Sequence, residues 1–120
     1  MAVRAVRGAT QLRADDRDEM IEAVVELVTK MLEVNGLVSE DLISMVLTST
    51  PDLTSEFPAF AARQLGMGDV PLLCASEINV AGALERVIRV MAHVETDRQR
   101  ADVKHVYLRG AETLRRDLAQ

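Results

Sequence analysis

A single amphipathic segment, residues 16–35, constrains the fold of this chain more than any other feature. Its apolar residues recur every three or four positions, the spacing of one face of an α-helix. They are Met20, Ile21, Val24, Leu27, Val28, Met31 and Leu32. Asp15 or Asp16 is suited to cap the start of the helix, and Asn35-Gly36 to provide a left-handed exit. We therefore expect one long helix, around which the other elements must pack.

Five further segments have the alternating or continuously apolar pattern of β-strands. They are Ala2–Thr10, Leu42–Thr48, Val70–Cys74, Glu85–Glu95 and Lys104–Leu108. A short helix is expected over Pro58–Leu65, which proline begins and Gly66 follows. The predicted fold is α+β, an approximately five-stranded mixed sheet packed on one long helix, in a single domain over residues 1–120. One helix cannot cover both faces of such a sheet, so we expect self-association to bury the second face.

Composition narrows the range of partners and locations. The 120 residues are 48% hydrophobic but include no Trp, so burial must come mainly from aliphatic side chains. The net charge is -5 and the Arg residues are scattered, which argues against a nucleic-acid surface. No apolar run reaches membrane-spanning length, and residues 1–10 lack the apolar core of a signal peptide. The single cysteine, Cys74, cannot form an internal disulfide, so we expect a cytoplasmic protein without a membrane association.

Arg89 lies within an apolar run, Val87–Met91, of a predicted strand. A buried guanidinium without a partner is costly, so we expect an anion to meet Arg89. Arg7 and Tyr107 occupy two other predicted strands. Gathered at one end of the sheet, the three side chains would form a dry cationic pocket for a small anion. The alternative is that each is an edge residue with its polar end in water, and Arg7 alone would fit that interpretation.

The remaining reactive side chains have equally plain structural interpretations. Cys74 has the character of a small buried hydrophobe more than of a nucleophile, and Glu77 has that of a solvated loop carboxylate. His93 and His105 lack metal-ligand spacing with each other or with Cys74, so no metal site is expected. The chain contains no phosphate-binding loop, dinucleotide fingerprint or Ser/His/Asp pattern.

Short motifs along the whole chain match one family in order and spacing. They are Val6-Arg7-Gly8-Ala9-Thr10, Thr50-Pro51-Asp52-Leu53, Phe57-Pro58-Ala59 with Arg63, Val70-Pro71, Cys74 with Glu77, Ile88-Arg89-Val90-Met91, His105-Val106-Tyr107-Leu108, and Leu114-Arg115 with Asp117-Leu118. In these motifs the sequence closely resembles the small monofunctional chorismate mutases of the trimeric α/β-barrel class. The resemblance implies a homotrimer whose sheets line a pseudo α/β barrel, with active sites in the clefts between subunits. It also implies the cofactor-free Claisen rearrangement of chorismate to prephenate, in the shikimate route to phenylalanine and tyrosine.

The resemblance assigns catalytic roles to five residues. Arg89 is expected to donate hydrogen bonds to the ether oxygen on which negative charge develops. Arg7 is expected to bind a substrate carboxylate, with Tyr107 orienting that end of the molecule. Glu77 and Cys74 are expected to bind the ring hydroxyl, and Glu77 also places negative charge near the electron-poor ring.

The resemblance also assigns the walls and the mouth of the cleft. Phe57, Leu73 and Leu114 are expected to form the walls. Arg63 and Arg115 are expected to close the mouth and attract the dianionic substrate. Phe57 and Arg63 are further expected to come from the neighbour of the subunit that carries the catalytic arginines.

Two positions depart from the best-known pattern of the family, and two other functions stay open. Phe60 stands where that pattern has a basic residue, and Leu73 replaces a small polar residue. The same trimeric fold hosts enamine/imine deaminases, which place an Arg in a similar cleft, although the run from Cys74 to Glu77 together with Ile88-Arg89-Val90-Met91 favours the mutase. A trimer that binds an aromatic-pathway acid without converting it is the other alternative.

Overall fold

The computed structural model of the chain describes residues 1–114, in which five strands form one sheet against one long helix. The elements are β1 (Ala2–Gln11), α1 (Arg17–Val34), β2 (Leu42–Ser49), α2 (Pro58–Arg63), β3 (Leu72–Ser76), β4 (Val87–Thr96) and β5 (Val106–Leu108), with 3₁₀ turns at Ser39–Asp41, Arg100–Asp102 and Ala111–Leu114. The strand order is β3-β2-β4-β1-β5. β4 is antiparallel to β1 and β2, whereas the edge strands β3 and β5 are parallel to their neighbours. The predicted α+β class and mixed five-stranded sheet are confirmed.

Local side-chain contacts define both ends of α1. The carboxylate of Asp16 accepts a hydrogen bond from the backbone N–H of Glu19 at 2.8 Å, which confirms Asp16 as the N-cap. At the other end Gly36 has a φ of +64°, the left-handed conformation expected after the helix. The buried Asn35 amide accepts from the backbone N–H of Lys104 at 2.8 Å and donates to its carbonyl at 2.9 Å. These bonds attach the end of α1 to the segment that leads into β5.

Gly8 lets β1 pass close beneath α1. A Cβ atom at this position would collide with the sulfur of Met31 and lie 3.1 Å from Cδ1 of Leu27. Any larger residue would force the helix away from the sheet, because a close-packed core has little free volume. Close packing of β1 against α1 therefore requires glycine at position 8. The neighbouring Arg7 faces the other side of the sheet.

α1 covers one face of the sheet, and within residues 1–114 the opposite face is covered by its own chain mainly near Ala9 and Tyr107. The residues of β4 that face α1 are all buried, and they are Ile88, Val90, Ala92 and Val94. On the opposite face, here called the outer face, the apolar side chains of Val3, Leu73 and Met91 are exposed by 60%, 63% and 42%. The alternating pattern expected of the strands is confirmed for β1 and β4, and among residues 1–114 most of one sheet face lacks a cover from its own chain, as inferred.

All five strands differ from their predicted ranges by one or two residues at one end or both, and the later starts of β3 and β5 have identifiable causes. β3 begins at Leu72 rather than Val70, since Pro71 has no N–H to donate to a neighbouring strand. β5 begins at Val106 rather than Lys104, because the backbone of Lys104 is bonded to the Asn35 side chain. Within residues 1–114, no helix is both long and apolar enough to cross a membrane.

Candidate active site

Strand register brings the predicted site residues together on the outer face. Arg89 of β4 lies opposite Ala9 of β1 and Thr48 of β2, and Ala9 in turn lies opposite Tyr107 of β5. Arg7 lies two residues before Ala9 and therefore projects from the same face. Four strands thus contribute to one row of side chains.

The environment of Arg89 differs from the buried one expected from its sequence context. Its side chain is 47% exposed, because its apolar neighbours Ile88 and Val90 project toward α1 on the other face. The expectation that Arg89 is buried within the chain is therefore wrong. Within the chain, Glu77 provides an anionic partner for Arg89, since Nε of Arg89 lies 3.2 Å from Oε1 of Glu77.

Glu77 is held against Arg89 from two directions. Its backbone N–H donates to the carbonyl of Ser49 at 2.9 Å, which extends the pairing of β3 with β2 by one residue. Its Oε2 accepts a hydrogen bond of 2.6 Å from Oγ1 of Thr48. The side chain is only 17% exposed, so Glu77 is not a freely solvated loop carboxylate. Sequence reasoning missed Thr48, although its position in the alternation of β2 places it on the outer face.

Arg7 and Tyr107 form the other side of the row. Nη1 of Arg7 is buried, and none of residues 1–114 accepts a hydrogen bond from it. The backbone N–H of Arg7 donates to Nδ1 of His105 at 3.0 Å, which supports the strand at this point. Tyr107 is 5% exposed and packs with Ala9 and Ala111. The ring is therefore fixed by packing, and Tyr107 lines the same depression as Arg7.

Arg7, Arg89, Tyr107 and Thr48 line a single depression of about 500 Å³ on the outer face. Its remaining lining is apolar side chain and backbone, including Val46 of β2 and Met91 of β4. A depression of this size accommodates a small organic molecule. The structure therefore brings together the three residues that were expected to meet from separate strands.

Phe57 and Cys74 line a second depression, of about 470 Å³, beside α2. Cys74 faces the core side of β3, where its sulfur accepts a hydrogen bond from the backbone N–H of Ala59 at 3.3 Å. Phe57 is 70% exposed. Within one chain the structure does not bring Cys74 next to the pair formed by Glu77 and Arg89.

The other residues assigned by resemblance are dispersed. Leu73 lies on the outer face opposite Val46, and Leu114 packs near Tyr107. Arg63 is exposed at the end of α2 and lines neither depression. Arg115 lies outside the described residues.

The first depression has the chemistry of an anion site. Two guanidinium groups and a phenol supply hydrogen-bond donors, and the carboxylate of Glu77, which contacts Arg89, is fixed by Thr48. No group of three or more His, Cys, Asp or Glu side chains within residues 1–114 is arranged to hold a metal ion. Charge stabilisation and orientation are the actions that these residues can provide.

Fold and site together define an α+β sheet protein with a cationic site for a small anion on an open sheet face. More specifically, the chain belongs to the chorismate mutase type I family, whose sequence model matches residues 3–118. It is 52% identical over 117 residues to chorismate mutase AroH of Thermus thermophilus, covering 97% of this chain and 96% of that one. It is 41% identical over 120 residues to chorismate mutase AroH of Bacillus subtilis strain 168, covering 99% and 94%. A solved chorismate mutase from Clostridium thermocellum has 47% identity and a TM-score of 0.89, covering 91% of this chain and 97% of that one.

Proposed function

We propose that this chain is a chorismate mutase, an isomerase that converts chorismate to prephenate. The observation that carries the proposal is the convergence of Arg7, Arg89 and Tyr107 in one depression of a type I family member. Chorismate is a small dianion, so it matches the size and charge of the site. The reaction belongs to the route that leads to phenylalanine and tyrosine.

The proposed reaction moves no proton and needs no cofactor. One C–O bond breaks and one C–C bond forms within the same molecule, so the atoms and electrons balance without a second reactant. The enzyme therefore acts by holding the reactive chair-like conformer and by stabilising the charge that develops in the transition state. This explains how a site with donors but no paired base and nucleophile can be catalytic.

Arg89 is proposed to stabilise the ether oxygen, where negative charge accumulates as the C–O bond lengthens. Glu77 contacts Nε of Arg89, and Thr48 holds Glu77, so the guanidinium is oriented before the substrate arrives. A preorganised donor of this kind contributes about 3 to 4 kcal/mol to transition-state stabilisation. The orientation is useful because a donor that must reorganise during the reaction loses part of that contribution.

Arg7 is proposed to bind a carboxylate of the substrate. Leaving a buried donor unpaired is unfavourable, and a carboxylate in the depression would satisfy Nη1 of Arg7. Tyr107 is packed beside it and would orient the same end of the molecule. Glu77 is proposed to bind the ring hydroxyl, and Cys74 is proposed to reach it only from a second copy of the chain, because within one chain its sulfur faces α2.

The site is proposed to be completed by a second copy of the chain in a homotrimer. Two observations support this: the outer face exposes apolar side chains around the cationic depression, and Phe57 and Cys74 line a separate depression. In such an assembly Phe57 and Arg63 would face the arginines of a neighbour. Leu73, Leu114 and Arg115 are proposed to complete the walls and the mouth.

We also propose that the chain is one chorismate mutase domain and acts in the cytoplasm. The single sheet and its main core, which spans from Val6 to Val106, support one domain. The unpaired thiol of Cys74 is compatible with a reducing compartment.

The proposal is tested by following chorismate and prephenate by NMR with the purified native protein. An Arg89→Ala variant, prepared identically, controls for mutase activity carried over from the expression host. Conversion by the native protein alone supports the proposal. Turnover of an imino acid without turnover of chorismate would favour a deaminase. Chorismate binding without prephenate formation would favour a protein that binds an aromatic-pathway acid without converting it.

A further inference from the structure

The segment from Thr54 to Phe57 is irregular, yet it carries the exposed aromatic ring of Phe57. It connects β2 to α2 and lies outside helices and strands. All of its residues line the 470 Å³ depression that also includes Cys74. Since backbone pairing with a strand does not hold this segment, other contacts must determine where the ring lies.

Asp15 holds the first half of the segment. Its carboxylate accepts hydrogen bonds from the backbone N–H of Thr54 at 3.0 Å and of Ser55 at 3.1 Å, and from Oγ1 of Thr54 at 2.9 Å. The side-chain hydrogen bond from Thr54 is the main reason that the pKa of Asp15 lies below its ordinary value. The Asp15 carboxylate therefore accepts hydrogen bonds from backbone N–H groups that, in a sheet, would be bonded to a neighbouring strand.

Arg17, the first residue of α1, contacts residues that lie before and after Phe57 in the sequence. Its Nε lies 2.9 Å from Oε2 of Glu56, and the other oxygen of Glu56 accepts from the backbone N–H of Phe57 at 2.9 Å. The Arg17 guanidinium carbon also lies 5.0 Å from the ring centroid of Phe60, within cation–π range. Two hydrogen bonds lower the pKa of Glu56, of which the one from the backbone N–H of Phe57 has the larger effect and the one from the Arg17 side chain the smaller.

We propose that Asp15 and Arg17 are positioning residues that fix the Thr54–Phe57 segment so that Phe57 presents a rigid wall to the substrate. This inference rests on the proposed function, because Phe57 is a wall only if the cleft binds chorismate. A preorganised wall matters since displacement of a positioning group by about 1 Å can reduce a rate by about 100-fold. Both side chains are exposed and contribute little to the core, so their loss should loosen the segment without unfolding the protein.

The test compares Asp15→Ala and Arg17→Met with Asp18→Ala, a control that removes a nearby exposed carboxylate from the first turn of α1. Amide hydrogen exchange at Thr54 and Ser55 is measured by NMR, alongside kcat and KM for chorismate. Asp15→Ala should increase exchange at both amides by at least about tenfold and reduce kcat/KM by a similar factor. The Asp18→Ala control should change neither the amide exchange nor kcat/KM. In every variant, the oligomer size and melting temperature should stay those of the native protein.

Asp15→Asn provides the second arm, because an amide oxygen restores one acceptor without the charge. It should recover part of the exchange protection and part of kcat/KM. Native exchange in Asp15→Ala, or fast exchange with native kinetics, would overturn the proposal. Failure of the native protein to convert chorismate would instead overturn the proposed function, and it is distinguished because it appears without any substitution.

Discussion

Replacing Arg89 with alanine should separate catalysis from stability. The Arg89 side chain is 47% exposed and its partner Glu77 is 17% exposed, with 3.2 Å between Nε and Oε1. A partly exposed ion pair of this kind contributes at most about 1 kcal/mol to the free energy of unfolding. No core residue is removed, since the side chain lies on the outer face.

The loss of transition-state stabilisation should be several times larger. Removing one preorganised donor costs about 3 to 4 kcal/mol, which corresponds to a reduction of kcat by about 100-fold to 1,000-fold. Arg89→Lys should lie between alanine and the native protein, because lysine keeps the charge but lacks the planar fork of donors.

Steady-state kinetics with chorismate gives the activity, and urea unfolding gives the free energy of unfolding. Size-exclusion chromatography verifies that the variant keeps the native assembly. Arg100→Ala is the matched control, because it removes an exposed arginine in a 3₁₀ turn remote in sequence from Arg89. A reduction below about tenfold in a correctly assembled Arg89→Ala protein, or a stability loss as large as the kinetic loss, would refute the reasoning.

Three further perturbations probe other parts of the account. Glu77→Gln should reduce kcat/KM by about tenfold with little change in unfolding, because the guanidinium loses its charged orienting partner; kinetics equal to the native enzyme would contradict this. Gly8→Ala should destabilise by about 1 to 3 kcal/mol through overpacking beneath α1, while Gly68→Ala, where a Cβ meets nothing within 4 Å, should shift the urea midpoint far less. Hydrogen bonds lower the pKa values of Asp15 and Glu56 below their ordinary values of 3.8 and 4.5. Both carboxylates should therefore stabilise the Thr54–Phe57 segment fully above these ordinary values, and this stabilisation should be lost as pH falls through the lowered pKa values. The protection factors of the amides at residues 54–57, which correct for the intrinsic exchange rate at each pH, should then fall only under acid conditions, and a loss of protection near neutral pH would contradict the assignment.

Periodicity was sufficient to predict the main elements, because each has a regular sequence pattern over many residues. The apolar face of residues 16–35 became α1, which spans Arg17–Val34, and the alternation around Arg89 correctly divided β4 between its two faces. Periodicity alone did not predict where β3 begins, because the missing N–H of Pro71, and not the apolar pattern, sets the start at Leu72. The strand order of the sheet likewise depends on contacts between segments far apart in the chain.

The site was predictable in part for the same reason. Resemblance and alternation identified Arg7, Arg89 and Tyr107 as candidates, and strand register brought them together. The assumption of burial around Arg89 failed because apolar neighbours in a strand point to the opposite face. The bonds from Asp15 to Thr54 join positions 39 residues apart, and no local pattern in the sequence signals such a contact.

The most direct test of the central claim is to incubate the native protein with chorismate in D₂O and to follow the product by proton NMR. The account predicts prephenate that carries no deuterium on its ring carbons, formed at nearly the same rate as in H₂O, because the rearrangement is intramolecular and moves no proton. Absence of prephenate from a folded, assembled protein, or deuterium on the ring carbons of the product, would contradict it.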